Sequence, residues 1–235
     1  MVNVQGVLDQ MKMCVLIPVH NESEKIGPLV ASIKQKGSPV VVVDDGSQDD
    51  SGKIASEHGA FVLFHEKKQG KGRSLQDGFE YVLKEGYDWV LTMDGDGQHD
   101  VDDISRFLEK ARTNEVCIIT GNRMHNPLEM PLVRLWTNRM MSSLISFLCR
   151  QKIPDTQCGF RLIPCEILRH LILSSSDFEI ETEVLVKASK KGFKIYSVPI
   201  KTIYLGGFSR INPFLDTIRF LAYIIREIRS PKKSQ

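Results

Sequence analysis

The sequence has no long apolar run, no cysteine pair motif and no signal-peptide pattern in its first residues. Its longest apolar stretches, Met140–Cys149 and Phe220–Ile225, fall well short of the roughly 18 to 20 residues that span a bilayer. The five cysteines include no CxxC pair and no histidine at zinc spacing, so we interpret them as reduced and buried. The N-terminus lacks the basic segment and apolar run of a signal peptide. We therefore expect a cytoplasmic chain, either soluble or bound to a membrane surface.

The sequence also lacks an excess of charge of one sign. Its 31 Lys and Arg residues against 29 Asp and Glu residues leave a net charge of +2, so we expect no nucleic-acid partner. Hydrophobic residues make up 42% and charged residues 26%, which argues against disorder and for a globular protein. A chain of 235 residues is long enough for one large domain or two small ones.

Apolar runs alternate with helical patterns through the first half of the chain. The runs, each bounded by turn residues, are Cys14–Val19, Pro39–Val43, Ala60–Phe64, Trp89–Met93 and Val116–Thr120. The helical patterns between them are Glu24–Gln35, Ser51–His58, Gly72–Lys84 and Val101–Arg112. This alternation predicts an α/β fold, with a Rossmann-like, mostly parallel sheet flanked by helices and a ligand site at the carboxyl ends of the strands.

The second half is richer in helical patterns. We predict helices over Leu132–Leu148 and Phe178–Lys190, a strand over Ile195–Pro199, and a C-terminal amphipathic helix over Pro213–Arg229. The first of these helices has an apolar stripe with arginines beside it. Its members are Leu132, Trp136, Met140, Leu144 and Leu148. The stripe favours core packing, with membrane contact as the alternative. We predict a flexible N-terminus over residues 1–12, one domain over 13–205, and an amphipathic helix with a basic tail over 206–235.

The motif DGDGQH follows the fourth apolar run directly and contains Asp94 and Asp96. If the backbone stays extended, both side chains project to the same side, about 6.6 Å apart. Two facing carboxylates repel unless a cation or a proton lies between them, and Mg²⁺ takes one or two protein carboxylates together with phosphates and water. The motif therefore predicts a divalent metal site, against the alternative of a solvated acidic turn.

Two earlier apolar runs end in the polar motifs PVHNE and DDGS, at the same expected edge of the sheet. An acidic residue there accepts ribose hydroxyls in dinucleotide folds, or simply caps the next helix. The turn QGKGRSL is not a dinucleotide fingerprint, because Leu75 stands at the third glycine position. It is not a P-loop either, because Gly72 follows the lysine. This basic turn either contacts phosphate or is a solvated loop.

Four motifs in order, PVHNE, VVVDDGSQDDS, QGKGRSLQDGF and DGDGQH, resemble family 2 glycosyltransferases with the GT-A nucleotide-sugar fold. Downstream, the motifs GNR, DTQCGFR, FEIETE and GFSR are similar to those of the polyprenyl-phosphate sugar transferases in that family. The resemblance covers about residues 13–220. It implies an inverting, metal-dependent enzyme that moves a hexose, mannose or glucose, from a nucleoside diphosphate to a dolichyl or undecaprenyl phosphate.

The resemblance also implies three groups of site residues. The nucleotide sugar would be bound by Pro18, His20, Asn21, Glu22, Val43, Asp44, Asp45, Asp94 and Gly95. The metal, Mg²⁺ or Mn²⁺, would be bound by Asp94, Asp96 and Gln98. The acceptor phosphate would be received by Arg123, Arg134 and Arg210, and the catalytic set would be Asp94, Asp96 and Arg123. The chain departs from the family pattern at Asn138, where a small hydroxyl residue is commoner, and at Tyr204, where arginine is frequent.

The partners implied are GDP-mannose or UDP-glucose, a polyprenyl phosphate and the cytoplasmic face of a membrane, with a small membrane subunit left open. A lipid phosphate is already an anionic nucleophile, whereas a hydroxyl acceptor needs a general base. The candidates for such a base are Glu179, Glu181 and Glu183, or these residues form a solvated helix face. Transfer to the hydroxyl of a glycolipid or polysaccharide is thus the alternative activity, and a non-catalytic nucleotide-sugar or membrane-binding module is the alternative of another class.

Overall fold

In the first half of the chain, apolar strands alternate with helices, as the sequence predicts. The computed structural model describes residues 12–112, 116–125 and 130–203. The elements of the first half are β1 (Met13–Val19), α1 (Ser23–Gln35), β2 (Val40–Asp44), α2 (Ser51–Glu57), β3 (Phe61–Phe64), α3 (Lys71–Lys84), β4 (Trp89–Thr92) and α4 (Ile104–Ala111). A 3₁₀ turn, Val101–Asp103, precedes α4. The predicted elements of this half are confirmed within a few residues at each end.

The second half contains two elements that the sequence did not indicate. Its elements are β5 (Cys117–Asn122), α5 (Leu132–Cys149), β6 (Arg161–Pro164), α6 (Cys165–Arg169), α7 (Glu179–Lys190) and β7 (Lys194–Pro199). The four-residue strand β6 and the five-residue helix α6 lie between the predicted helices Leu132–Leu148 and Phe178–Lys190, where no element was predicted. A 3₁₀ turn, Arg123–His125, follows β5 directly.

The seven strands form one sheet in the order β3-β2-β1-β4-β6-β5-β7. Strand β6 runs antiparallel to β4 and β5, and the other neighbouring strands are parallel. The predicted mostly parallel sheet is thus confirmed, with one antiparallel insertion. Because β2, β1 and β4 are parallel neighbours, their carboxyl ends meet at one edge of the sheet.

Alternate residues of each strand enter two hydrophobic cores on the two faces of the sheet. In β1, Leu16 packs with the core under α3, α5 and α7, whereas Ile17 packs with the core under α1 and α4. All five cysteines are free and buried, as predicted, and burial raises the pKa of Cys14 and of Cys158 to about 12. The sheet is therefore covered on both faces, which leaves its carboxyl edge for ligands.

The apolar stripe of α5 does not lie in the core over its whole length. Leu132 is 81% exposed and Trp136 is 72% exposed, so core packing, the favoured interpretation, is wrong for this end of the helix. No helix among the described residues combines the length and the apolar character needed to cross a membrane. The predicted helix Pro213–Arg229 lies outside the described residues, and the predicted domain boundaries stay predictions.

Candidate active site

The loops after β1 and β2 are tied together at the carboxyl edge of the sheet. The backbone N–H of Asn21 donates to Ser47 Oγ at 3.0 Å, and the Asn21 side-chain oxygen accepts from the N–H of Gln48 at 2.7 Å. The N–H of Glu22 donates to Ser51 Oγ at 2.7 Å. Asn21 has φ of 56°, a left-handed conformation that asparagine tolerates better than most residues. These bonds bring the PVHNE and DDGS motifs together, as predicted.

The two aspartates of the DDGS motif are buried and already engaged. Asp44 Oδ1 accepts from the N–H of Ser47 at 2.9 Å. The Asp45 carboxylate accepts from the N–H of Gln69 at 2.7 Å and from the N–H of Gly70 at 2.9 Å, and it contacts His65 Nδ1 at 2.9 Å. Burial raises the pKa of Asp45, but these hydrogen bonds outweigh it and lower the pKa. Asp45 therefore anchors the glycine-rich turn, and its contact with a nucleotide stays a prediction.

The glycine-rich turn delivers Lys71 to the aspartate motif, a connection that the sequence did not reveal. Lys71 Nζ lies 2.5 Å from Asp94 Oδ1 and 2.6 Å from Glu181 Oε1. Burial raises the pKa of Asp94, but the ammonium of Lys71, together with His99 and Arg123, outweighs burial and lowers the pKa. The same two carboxylates raise the pKa of Lys71 against the effect of burial. The basic turn is thus neither a solvated loop nor remote from the site.

The backbone turns within the aspartate motif, so the extended spacing of Asp94 and Asp96 does not apply. Strand β4 ends at Thr92, and Gly97 has φ of 70°, a conformation that favours glycine. Asp96 Oδ1 accepts from the backbone N–H of Gln98 at 3.0 Å, so the Asp96 carboxylate lies against this turn. Gly95 packs on the end of β1, beside the carbonyl of Pro18. The nearby Val43, in β2, is buried.

Two buried rings lie next to Asp94. His99 stacks on Phe160 with ring centroids 4.9 Å apart, and its Nε2 lies 3.9 Å from Asp94 Oδ2. Burial lowers the pKa of His99 more than the neighbouring carboxylates raise it. In the loop after β1, at the same edge of the sheet, His20 Nδ1 lies 2.9 Å from the carbonyl of Asp45. Both histidines therefore shape the edge of the site through fixed contacts.

The carboxylates around Asp94 fit a hard cation. A Cβ atom added to Gly159 would lie 2.8 Å from both Asp94 oxygens and 2.9 Å from Glu181 Oε1, so the two carboxylates converge on one small space. Among the described residues, no three acidic, histidine or cysteine side chains form a complete metal site. Mg²⁺ and Mn²⁺ favour such incomplete sets when substrate phosphates and water supply the remaining ligands. Asp94, Asp96 and Gln98 remain the predicted metal ligands.

Arg123 is held at the end of β5 by a buried partner. Its Nε and Nη2 donate to the two Asp155 oxygens at 2.8 and 2.9 Å, and its backbone N–H donates to Asp155 Oδ2 at 3.1 Å. Asn138 Nδ2 donates to the same carboxylate at 3.2 Å. The Arg123 charge is close enough to contribute to the lowered pKa of Asp94. The structure thus brings Arg123 toward Asp94, and the Asp155 carboxylate fixes the orientation of the guanidinium.

The other two predicted acceptor arginines are not placed in this way. Arg134 is half-buried in the first turn of α5, and the structure gives it no described contact with Arg123. Arg210 and Tyr204 lie outside the described residues. Asn138, at a position where the family pattern has a small hydroxyl residue, connects α5 to Asp155. This departure therefore helps to hold the carboxylate that binds Arg123.

The acidic residues of α7 have different roles. Glu183 is fully buried and accepts from the N–H groups of Ser174 and Ser175 at 3.0 and 2.8 Å. The prediction of a solvated helix face is therefore wrong at this residue, and so is the prediction that Glu183 is a general base. Glu181 is at the site, because its carboxylate accepts a hydrogen bond from Lys71, whereas Glu179 is half-exposed.

Arg161 holds the segment before β6 in place. This fully buried guanidinium donates to the carbonyls of Cys158, Thr156 and Glu181. Lys71, Asp155, Gly159 and Arg161 are at the site but were not predicted individually as site residues. The available signal was that they belong to the motifs QGKGRSL and DTQCGFR.

A family model and individual proteins match this chain. The family model described as Glycosyl transferase family 2 matches residues 14–172. A UDP-N-acetylglucosamine--dolichyl-phosphate N-acetylglucosaminyltransferase of Methanococcus voltae is 29% identical over 80% of this chain and 84% of its own length. A polyprenol monophosphomannose synthase of Mycolicibacterium smegmatis is 29% identical over 79% of this chain and 75% of its own length.

A solved structure shares the fold. Glucosyl-3-phosphoglycerate synthase from Mycobacterium tuberculosis, in complex with Mn²⁺, UDP and phosphoglyceric acid, superposes with a TM-score of 0.75 over 98% of this chain and 83% of its own. The two sequences are 16% identical, so the likeness concerns the fold alone. It confirms the GT-A architecture that the motifs predict.

Proposed function

This chain belongs to glycosyl transferase family 2, and from that premise we propose that it moves a hexose from a nucleoside diphosphate to a polyprenyl phosphate with inversion at the sugar. One observation carries the proposal. Arg123, held by its two side-chain hydrogen bonds to Asp155, is near enough to Asp94 for its charge to help lower the pKa of that carboxyl. A diphosphate site next to a fixed arginine suits two anionic substrates that must react with each other.

The donor would lie over the strand ends that carry the PVHNE, DDGS and DGDGQH motifs. Asp94, Asp96 and Gln98 would hold Mg²⁺ or Mn²⁺ against the donor diphosphate. When bound, the metal acts as a Lewis acid for the charge that develops on the leaving diphosphate. The tied loops of Asn21 and Asp45 present a fixed surface for the base and the ribose. A fixed surface reduces the ordering needed when the donor binds.

The acceptor phosphate would bind to Arg123. The two side-chain bonds to Asp155 leave further N–H donors of the guanidinium, which carries five in a planar fork. The phosphate is already ionised, so positioning and charge balance replace a general base. Asp155 is a positioning residue here, because it acts on the acceptor through Arg123.

A lipid acceptor also requires contact with a membrane, and α5 offers a surface for it. Its large exposed apolar residues are Leu132, Val133, Trp136, Met140 and Phe147. At 100° per residue these five positions fall within an arc of about 100°, and Arg139 falls at its border. An apolar helix face with basic residues beside it is typical of interfacial helices. We place this face on the cytoplasmic surface of a membrane, as a peripheral contact.

Transfer to a hydroxyl acceptor is the second candidate, and Glu181 is the observation that favours it. Its carboxylate lies at the site, where a general base would be needed. Its ion pair with Lys71 already engages the carboxylate, which makes the phosphate acceptor the better supported candidate.

The decisive experiment offers GDP-mannose, UDP-glucose and UDP-N-acetylglucosamine with a short polyprenyl phosphate, and measures released nucleoside diphosphate. We expect release with one donor, only in the presence of both the lipid phosphate and Mg²⁺ or Mn²⁺. Asp96→Ala should abolish it without unfolding the chain. Full activity in excess chelator contradicts the metal role, and transfer to a polyprenol or a sugar hydroxyl instead of the phosphate contradicts the acceptor assignment.

A further inference from the structure

Lys71 occupies the position where positive charge is needed between two acidic side chains. Its ammonium bridges Asp94 and Glu181, and it lies 5.6 Å from the centre of the Phe178 ring. We propose that Lys71 is an internal counter-ion that a divalent cation must displace, so that metal and nucleotide bind together rather than separately. This inference rests on the proposed metal-dependent function and concerns how the same site is loaded.

The geometry makes the two cations exclusive. A divalent cation bound to Asp94 would lie about 2.0 to 2.1 Å from a carboxylate oxygen. Lys71 Nζ is already 2.5 Å from Asp94 Oδ1, so both cations would share one carboxylate at close range. Such like charges repel strongly in a partly buried site. Lys71 therefore has to leave Asp94 when the metal binds.

The backbone at Lys71 is fixed, so the movement belongs to its side chain. Asp45 holds the N–H groups of Gln69 and Gly70 just before it, and the N–H of Arg73 donates to the carbonyl of Ser176 just after it. A lysine side chain has four flexible carbons and a compact charge, which suits a short swing. The displaced ammonium remains within reach of the edge where the donor diphosphate would lie.

This arrangement predicts coupling between the two ligands. Metal alone must break the contact between Lys71 and Asp94 and leaves the ammonium without that partner. Metal that arrives with a nucleoside diphosphate brings new negative charge for the ammonium. Nucleotide should therefore increase the affinity for metal, and metal should increase the affinity for nucleotide by the same factor.

The test measures Mn²⁺ binding to the full chain by electron paramagnetic resonance of free Mn²⁺, with and without UDP or GDP. In the wild-type protein we expect the nucleotide to tighten Mn²⁺ binding by about tenfold, within the usual range of coupling. Lys71→Met should tighten Mn²⁺ binding without nucleotide by about the same factor and should remove most of the nucleotide effect. Lys68→Met, the same substitution three positions earlier on an exposed side chain, should behave as wild type.

Two outcomes overturn the proposal: unchanged Mn²⁺ affinity in Lys71→Met, or weaker affinity, which would make Lys71 a support of the metal site. Lys71→Gln, which keeps a polar side chain, repeats the test if the methionine variant does not fold. If neither folds without metal, rescue of the fold by Mn²⁺ supports the exchange of one cation for the other, and failure of rescue contradicts it. Because no turnover is measured, a chain with this coupling but without transferase activity contradicts the proposed function alone.

Discussion

The donor half and the acceptor half of this site are held together by different kinds of bonds. In the donor half, side chains near strand ends bind backbone N–H groups of neighbouring loops, as Asn21 and Asp45 do. In the acceptor half, buried charges hold each other, as Arg123 and Asp155 do. The first arrangement spreads its stability over many hydrogen bonds. The second concentrates it in one ion pair, whose loss leaves a buried charge without a partner.

The largest expected effect follows from breaking that pair in the acceptor half. Asp155→Asn keeps the shape of the side chain but leaves the guanidinium of Arg123 uncompensated. Breaking a buried pair in this way costs about 3 to 5 kcal/mol of the free energy of unfolding, measured by chemical denaturation. Asp102→Asn is the control, because Asp102 pairs with Lys36 at the surface, with its side chain 73% exposed. Equal effects of the two variants would contradict the comparison.

A smaller effect, on function, is expected when the arginine itself is removed. Arg123→Ala should lower kcat/KM for the lipid phosphate while the nucleotide still binds, because a charge-assisted contact is worth about 1.5 to 3 kcal/mol. Acceptor kinetics and nucleotide titration, both below the unfolding temperature, give the two numbers. A loss of nucleotide affinity with normal acceptor kinetics would assign Arg123 to the donor half instead.

The same contrast explains what the sequence could predict. Each donor motif follows an apolar run directly, so parallel pairing alone predicts that His20, Asp45 and Asp94 meet at one edge. The pair of Arg123 and Asp155 spans 32 residues and joins a strand end to an irregular segment. No local spacing encodes such a pair.

Helix α5 shows a second limit of sequence reasoning. The spacing of its apolar residues correctly predicts a helix. However, the helix face that contains Trp136 is apolar and is nevertheless exposed to solvent. The buried face contains Asn138 and Ser142, which hydrogen-bond to Asp155 and Thr156. Polar partners in the core thus reverse the expected orientation at this end of the helix, and only the tertiary structure reveals them. Strand β6 was missed because it has only four residues and begins with the charged Arg161. Such a short segment shows no alternation of apolar and polar residues from which a strand could be predicted.

Acid should weaken the contacts of buried carboxylates whose pKa is lowered, and Glu183 in α7 is one of them. Burial raises the pKa of Glu183, but Lys187 and the N–H groups of Ser174 and Ser175 lower it overall. A lowered pKa gives stability that is complete above the ordinary carboxyl range and is lost as the pH falls through the folded-state pKa.

We therefore expect the free energy of unfolding to fall below about pH 4, and Glu183→Gln to flatten this fall. Asp49→Asn, in the donor half, should flatten it less, because Asp49 is exposed although its pKa is also lowered. Unfolding curves across this pH range measure both slopes. A steeper dependence in Glu183→Gln would contradict the assignment.

The smallest expected effect concerns the membrane face of the acceptor half. Trp136 is 72% exposed, so Trp136→Ser should change stability by no more than about 0.5 kcal/mol. Its indole would enter the membrane interface, and full burial of a large apolar side chain is worth about 1.5 to 3 kcal/mol. Partial insertion should therefore mean that the substitution weakens binding to anionic vesicles by about tenfold at most.

Phe64→Ser is the matched control, because Phe64 is 65% exposed on the edge strand β3, in the donor half. Cosedimentation with vesicles should fall for the first variant and not for the second, and added salt should weaken the binding of all three proteins through the basic residues. Equal binding by the wild-type protein and Trp136→Ser would remove α5 from the membrane contact and leave residues 206–235 as the remaining predicted surface.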